Sequence, residues 1–296
     1  MHRIPELDFD LPKTRSYLLS VLEPLGCEIR DLGRAGFTAY FNRNKSETIA
    51  FRSDMDAIPI PEPPGSSFAS EHGGVMHACG HDGHMSMILG LAEMIAADPE
   101  KMACNCLLVF EAAEETSGGA EPICCSGVLK EYGVSRIYGL HLWPGYPAHT
   151  IICKPCEFMA GTTVLTVTID GQSAHIVEHK KGLDALEAGA LLITRAYEFE
   201  RSLPADELRI LRFGSFHSGT ANNIISGKTV ITGAFRAFSN ETFSRLNAGL
   251  EKIIHDIEKE TGVRFTFEKS EGYPPVVNPF NICEQAKADT LRIFQT

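Results

Sequence analysis

The sequence predicts an α/β protein of two domains, the second inserted into the first. Strand-length apolar runs and a helix-length stretch alternate over the first half of the chain. From about Gly161 the order becomes β-α-β-β-α-β, a ferredoxin-like unit. In addition, residues of metal-ligand type follow three successive strands, where open α/β sheets bind their ligands.

Residues 48–53, 106–110 and 136–140 read as buried strands, each a short apolar run bounded by polar or turn residues. Residues 85–97 place Ile88, Leu91 and Ile95 at helical spacing, with Asp82 as the expected cap. In the inserted unit, residues 162–169 alternate like a strand and 182–200 read as a helix. Residues 208–216 and 229–238 are two more strands. Residues 241–260 form a helix with Leu246, Leu250, Ile253, Ile254 and Ile257 on its apolar face, and 263–268 are the last strand. Tyr273-Pro274-Pro275 marks the return crossing, and 281–294 read as a helix. Residues 1–159 and 270–296 are therefore expected to form one domain, and 160–269 the other.

The 296 residues suffice for two ordinary domains, and 44% hydrophobic with 22% charged residues is the balance of a globular protein. No run approaches the ~20 apolar residues of a membrane span. Residues 1–6 lack the apolar stretch of a secretory leader, so the expectation is a cytoplasmic protein. A net charge of −11 argues against nucleic acid and anionic membranes as partners. Nine Cys, an odd number, argue against a disulfide framework. Cys153 and Cys156 have redox-motif spacing but no thioredoxin-like context, and a thiol redox protein ranks last among the readings.

The densest chemistry is in His77-Ala78-Cys79-Gly80-His81-Asp82-Gly83-His84. Imidazole and thiolate are preferred donors for zinc and its neighbours. Cys79 and His81, two apart on an extended segment, would face one centre. Asp54 and Asp56 follow the first strand as metal ligands or as partners that orient an imidazole. Glu114 and Glu115 follow the second, before the tight turn Thr116-Ser117-Gly118-Gly119. Adjacent side chains point differently, so one can bind metal while the other takes a proton. His141 follows the third strand as a ligand. His77 and His84 are read as supporting groups and His72 as exposed. In the inserted unit, His175, Asn223 and Arg236 suit a substrate carboxylate and an oxyanion: Arg offers a fork, Asn and His offer donors. There is no phosphate loop, nucleophile elbow or dinucleotide fingerprint.

Taken together, Ser53-Asp54-Met55-Asp56-Ala57-Ile58-Pro59, His77 to Asp82, Ala113-Glu114-Glu115, Gly139-Leu140-His141, Ser173-Ala174-His175 and Asn223-Ile224-Ile225 resemble the aminoacylase and carboxypeptidase-like metallopeptidase family. The resemblance is to its amidohydrolase branch, which holds hippurate, indole-acetyl amino acid and N-acetyl-diaminopimelate hydrolases, and it runs across nearly the whole chain. It implies a catalytic domain and a lid that also dimerises, two divalent ions (Zn, Mn, Co or Ni), and cleavage of N-acyl amino acids or dipeptides. Cys79, His81, Glu115 and His141 resemble the metal ligands, Glu114 the general base and acid, and Asp56 the acid that orients the site. Asp54 stands where other branches carry a His ligand. His175 resembles the lid residue that stabilises the oxyanion from a neighbouring subunit, and Asn223 and Arg236 resemble substrate-binding lid residues. The family pattern continues past the position of Thr296 into a segment with a final His ligand, so one metal site is expected to be incomplete. The Pro often found after the lid His is replaced in Ser173-Ala174-His175-Ile176. The alternative is a non-catalytic relative that binds metal or ligand, or acts in assembly. Glu114-Glu115 favours the enzyme, because a binding module needs no base.

Overall fold

The computed structural model describes residues 1–294 apart from Ser117 and Glu271. Ser117, in the turn read after Glu114-Glu115, lies outside the described residues. The chain forms two compact units, Met1–Thr150 and Ile151–Thr296.

The first unit runs α1 (Pro12–Leu22), β1 (Glu28–Asp31), β2 (Gly36–Phe41), β3 (Thr48–Asp54), α2 (His81–Ala97), β4 (Asn105–Glu111), α3 (Ala120–Cys125), α4 (Val128–Glu131) and β5 (Val134–Gly139). Its sheet has the order β1-β2-β4-β3-β5. β3 lies parallel to β4 and to β5, while β1, β2 and β4 pair antiparallel. The sheet is therefore mixed, and the antiparallel β1–β2 pair extends it beyond the strands read from the sequence. Every residue of β4 is buried, which is why it reads as an unbroken apolar run rather than an alternating one. Helix α2 packs Met85, Ile88, Ala92 and Ile95 into a core with Leu108, Phe110, Leu18 and Leu22. Phe37 and Phe110 stack there at 4.7 Å between ring centroids.

The start of α2 corrects one expectation. The helix begins at His81, not Met85, and Asp82 is not its cap. Gly80 holds the N-cap position at φ 85, where its missing Cβ makes a left-handed turn inexpensive. The Asp82 carboxylate instead accepts from His2 Nδ1 at 2.7 Å.

The second unit contains β6 (Cys156–Met159), β7 (Gly161–Asp170), α5 (Ala185–Ser202), β8 (Arg209–Ser218), β9 (Lys228–Ala237), α6 (Asn240–Thr261), β10 (Arg264–Lys269), β11 (Val276–Asn278) and α7 (Phe280–Phe294). The sheet order β10-β7-β9-β8, antiparallel throughout, is the ferredoxin-like order. Asp184 caps α5 through Leu186 N–H (2.9 Å), and Ser239 caps α6 through Thr242 N–H (3.1 Å). Leu192 and Ala196 on α5 and Leu246, Leu250, Ile254 and Ile257 on α6 are the buried residues that cover the sheet. β6 pairs with β11, which brings the two ends of the excursion 160–269 together. Cys153 partners neither Cys156 nor solvent alone: its Sγ lies 2.8 Å from Cys283 Sγ.

Gly36 opens β2 at φ 133, and a Cβ there would lie 1.9 Å from the Phe110 carbonyl oxygen on β4. Both the backbone angle and the space require glycine. Gly36→Ala is expected to cost at least about 3 kcal/mol, read as a lowered urea midpoint. A midpoint equal to the parent's would show that β2 and β4 are not packed at this distance.

Candidate metal centre

The centre is assembled in the first unit, from the ends of its strands. β3 ends in Asp54 and β4 in Glu111, and their parallel register sets these two residues side by side. Arg52, inside β3, joins them: Nε donates to Glu111 and Nη1 to Asp54, each at 2.6 Å. Buried carboxylates need such a partner, because an unpaired buried charge is costly. The second Asp54 oxygen accepts from His84 Nδ1 at 2.7 Å. Burial alone would push the Asp54 pKa up, but the His84 hydrogen bond and the Arg52 guanidinium outweigh it and hold the carboxyl at about 2.

After β4 the backbone turns sharply. Ala113 has φ 57, a left-handed conformation that costs a residue with a Cβ about 1–2 kcal/mol. Gly118 N–H donates to the Ala113 carbonyl at 2.8 Å, and Ala113 N–H donates to the Asp8 carbonyl at 3.1 Å. The next two N–H groups meet the buried Asp56 carboxylate. Glu114 N–H donates to Oδ1 at 3.0 Å and Glu115 N–H to Oδ2 at 3.1 Å. Asp56 thus fixes the backbone from which both glutamates project.

His81 lies among these carboxylates. It is buried, and neither ring nitrogen has a hydrogen-bond partner among the described residues. Asp56 lies 3.6 Å from Nδ1, while Asp54 and Glu115 lie 3.7 Å and Glu114 3.9 Å from Nε2. These separations are too long for hydrogen bonds. An unsatisfied imidazole ringed by carboxylates fits a bound cation, which would draw these donors inward. Burial opposes charge on His81, yet the carboxylates of Asp56 and Asp54 raise its pKa above the ordinary histidine value.

Three groups of side chains bring ligand atoms within 4.8 Å of one another: Cys79, His81 and His141; His81, Glu114 and Glu115; and Asp54, His81 and His84. The third is not open to a metal. His84 Nε2 accepts the Leu142 N–H at 2.8 Å, so that nitrogen carries the lone pair and Nδ1 carries the proton given to Asp54. Both positions of the ring are used. The first two groups share His81 and supply sulfur, nitrogen and oxygen donors suited to zinc and neighbouring divalent ions. Cys79 Sγ stands 3.5 Å from His141 Nε2. Burial, with Glu115 next, pushes the Cys79 thiol up to about 12, so a cation must displace its proton on binding.

Of the other histidines, His77 is buried with neither ring nitrogen hydrogen-bonded among the described residues, and burial pushes its pKa down to about 4. His72 is not simply exposed: its Nδ1 donates to Pro5 O at 2.6 Å and its Nε2 accepts from Lys13 Nζ at 2.9 Å. In the second unit, His175 and Asn223 lie together, since Ile176 N–H donates to Asn223 O at 3.0 Å and His175 bridges Ile224. Arg236 pairs with Thr162, at the other end of β9 from Lys228. Eight strand positions make that separation roughly 27 Å, so one small molecule cannot touch both ends of this sheet in a single chain. Sequence reasoning passed over Arg52 and Glu111, although a charge inside an apolar strand was the available signal.

Asp54 yields a pH test. Its folded pKa lies below its unfolded value of 3.8, so its stabilisation is present above about pH 4 and is lost as pH falls toward about 2. Metal-free Asp54→Asn should be less stable than the parent by about 2 kcal/mol at neutral pH. The gap should narrow on acidification, followed by urea unfolding across that range. A gap independent of pH would contradict the ion pair.

Comparison with known proteins agrees with this geometry. The model of peptidase family M20/M25/M40 matches residues 50–293. The N-acetyldiaminopimelate deacetylase of Streptococcus uberis is 32% identical, over 100% of this chain and 81% of that protein. The enzyme of the same name from Bacillus subtilis is 35% identical, over 87% of this chain and 70% of its own length. Among solved structures, one described as an aminohydrolase from methicillin-resistant Staphylococcus aureus superposes with a TM-score of 0.93 at 28% identity. It covers 99% of this chain, which spans 78% of that one. A Bacillus subtilis dinuclear metal binding peptidase from the M20 family gives 0.84 at 27% identity, with 99% and 77% covered. With a family match over most of its length, and with a site of the composition described, this chain is a member of peptidase family M20/M25/M40.

Proposed function

We propose that this chain is a metal-dependent amidohydrolase that cleaves the amide of N-acyl amino acids, with an N-acetylated diamino acid of the kind named in its relatives as the first substrate to test. The observation that carries the reading is the pair Glu114-Glu115, whose backbone is clamped by Asp56 beside an unsatisfied His81. A module that only binds metal has no use for a second glutamate held this close. Cys79, His81, Glu115 and His141 are the proposed ligands for two divalent ions, with His81 common to both groups. Such ions supply Lewis acidity and lower the pKa of water to near neutrality.

The rest of the chemistry falls to the side chains. Glu114 takes the proton of the attacking water and returns it to the leaving amine. Burial, with the charge of Glu115 next, raises the Glu114 pKa above the ordinary glutamate value, which suits a group that must both accept and release a proton near neutral pH. Asp56 keeps Glu114 and Glu115 in register, and Arg52 offsets part of the Glu114 charge. The lid role proposed for His175 and Asn223 is donation to the oxyanion and to the substrate carboxylate. Arg236 joins them only through a second copy of the chain, which is the basis for proposing a homodimer. Residues 160–269 are the proposed lid, with the β6–β11 ribbon at its root.

Among the described residues, no helix is long and apolar enough to cross a membrane.

Glu114→Gln is expected to lower turnover of N-acetyl amino acids by about 10²–10⁴-fold while metal content stays at the parent level. Near-parent turnover would remove Glu114 from the role. In the metal-free protein, the Glu114 carboxyl should titrate above the ordinary glutamate range, followed by carboxyl NMR.

A further inference from the structure

The loop after β5 carries His141 but is largely exposed: Leu142 is 48% and Trp143 59% accessible. A ligand on such a loop needs something to hold it. We infer that Leu142, seated on Gly83 and His84 of α2, is the dock that fixes the position and tautomer of His141; this rests on the ligand role proposed above. Three contacts carry the inference, and all lie in the first unit.

Leu142 N–H donates to His84 Nε2 at 2.8 Å. The Leu142 carbonyl stands 2.7 Å from His141 Nδ1. A carbonyl only accepts, so Nδ1 carries the hydrogen, and the lone pair is left on Nε2, which faces Cys79 Sγ at 3.5 Å. A backbone carbonyl on the far nitrogen is the usual way to fix a ligating imidazole. The Leu142 side chain occupies the notch left by two glycines. A Cβ on Gly83 would lie 2.5 Å from Leu142 Cδ1, and one on Gly80 would lie 3.3 Å from Leu142 Cβ and Cδ1. Gly83 sits within α2, where alanine would favour the helix, and a side chain there would have to displace the Leu142 Cδ1 methyl. Asp54 completes the chain of support, because it accepts the His84 proton and so directs Nε2 toward Leu142.

His84 can be dissected by substitution. Glutamine places an acceptor oxygen near the position of Nε2 and loses the bond to Asp54. Asparagine reaches only the position of Nδ1 and loses Leu142. The probe is Co²⁺ added to metal-free protein. Affinity and the visible spectrum are read together, since thiolate charge transfer reports Cys79 and band intensity reports coordination. His84→Asn and Gly83→Leu should each weaken Co²⁺ binding roughly 10–100-fold and alter the spectrum, whereas His84→Gln, which keeps the acceptor for Leu142 N–H, should recover most of the parent affinity. Melting temperature separates this from misfolding, and Gly83→Leu keeps the test open where a His84 variant does not fold. If His141→Ala weakens binding but His84→Asn and Gly83→Leu do not, the dock is overturned and the ligand role stands. Should His141→Ala bind Co²⁺ with parent affinity and spectrum, both fall.

Discussion

The parallel pairing of β3 with β4 and β5 is the constraint on which the site depends. It sets Asp54 beside Glu111, sends the chain after β4 back toward Asp56, and points the segment after β5 at the start of α2. A slip of one residue between β3 and β4 would turn Asp54 or Glu111 to the opposite face of the sheet. The register is held by burial on both sides: Leu107, Leu108, Val109 and Phe110 are all inaccessible on β4, so moving the strand would expose apolar surface.

That pairing concentrates negative charge. Asp54 and Glu111 flank one guanidinium, Arg52, while Asp54, Asp56, Glu114 and Glu115 all approach His81, and the excess is the electrostatic reason for a cation there. Not all of the acids face the same task. Asp54 and Glu111 spend their oxygens on Arg52 and His84, and Asp56 spends both of its own on peptide N–H groups. Glu114 and Glu115 approach the imidazole of His81 from a backbone that Asp56 holds, so like groups in one cluster take different positions.

Much of this was legible in the sequence, and the failures have physical causes. Strands buried on both faces appear as apolar runs, and α6 appears as a stripe at helical spacing, so β3, β4 and α6 were readable. β1 and β2 span four and six residues; β2 owes its place to β4 and β1 its place to β2, which no local pattern reveals. The start of α2 was misplaced because a left-handed glycine, not an aspartate side chain, makes the turn. Ligand-type residues could be located after each strand, yet Arg52 with Glu111 and Leu142 with His84 are contacts across neighbouring segments, set by register and not by spacing along the chain. The distance between Arg236 and Asn223 was hidden for the same reason: nearness in a list of polar loop residues says nothing about which end of a strand each occupies.

The high pKa of Cys79 bears on how the protein survives without its metal. Thiolates attack peroxides and disulfides, and thiols largely do not. Burial, with Glu115 next, keeps this sulfur protonated, so the metal-free centre carries its thiol in the less oxidisable form. The same carboxylate that discourages ionisation is among the groups a cation would engage. A cation held by the proposed ligands would offset that carboxylate and occupy the sulfur, so the thiol would be shielded in either condition.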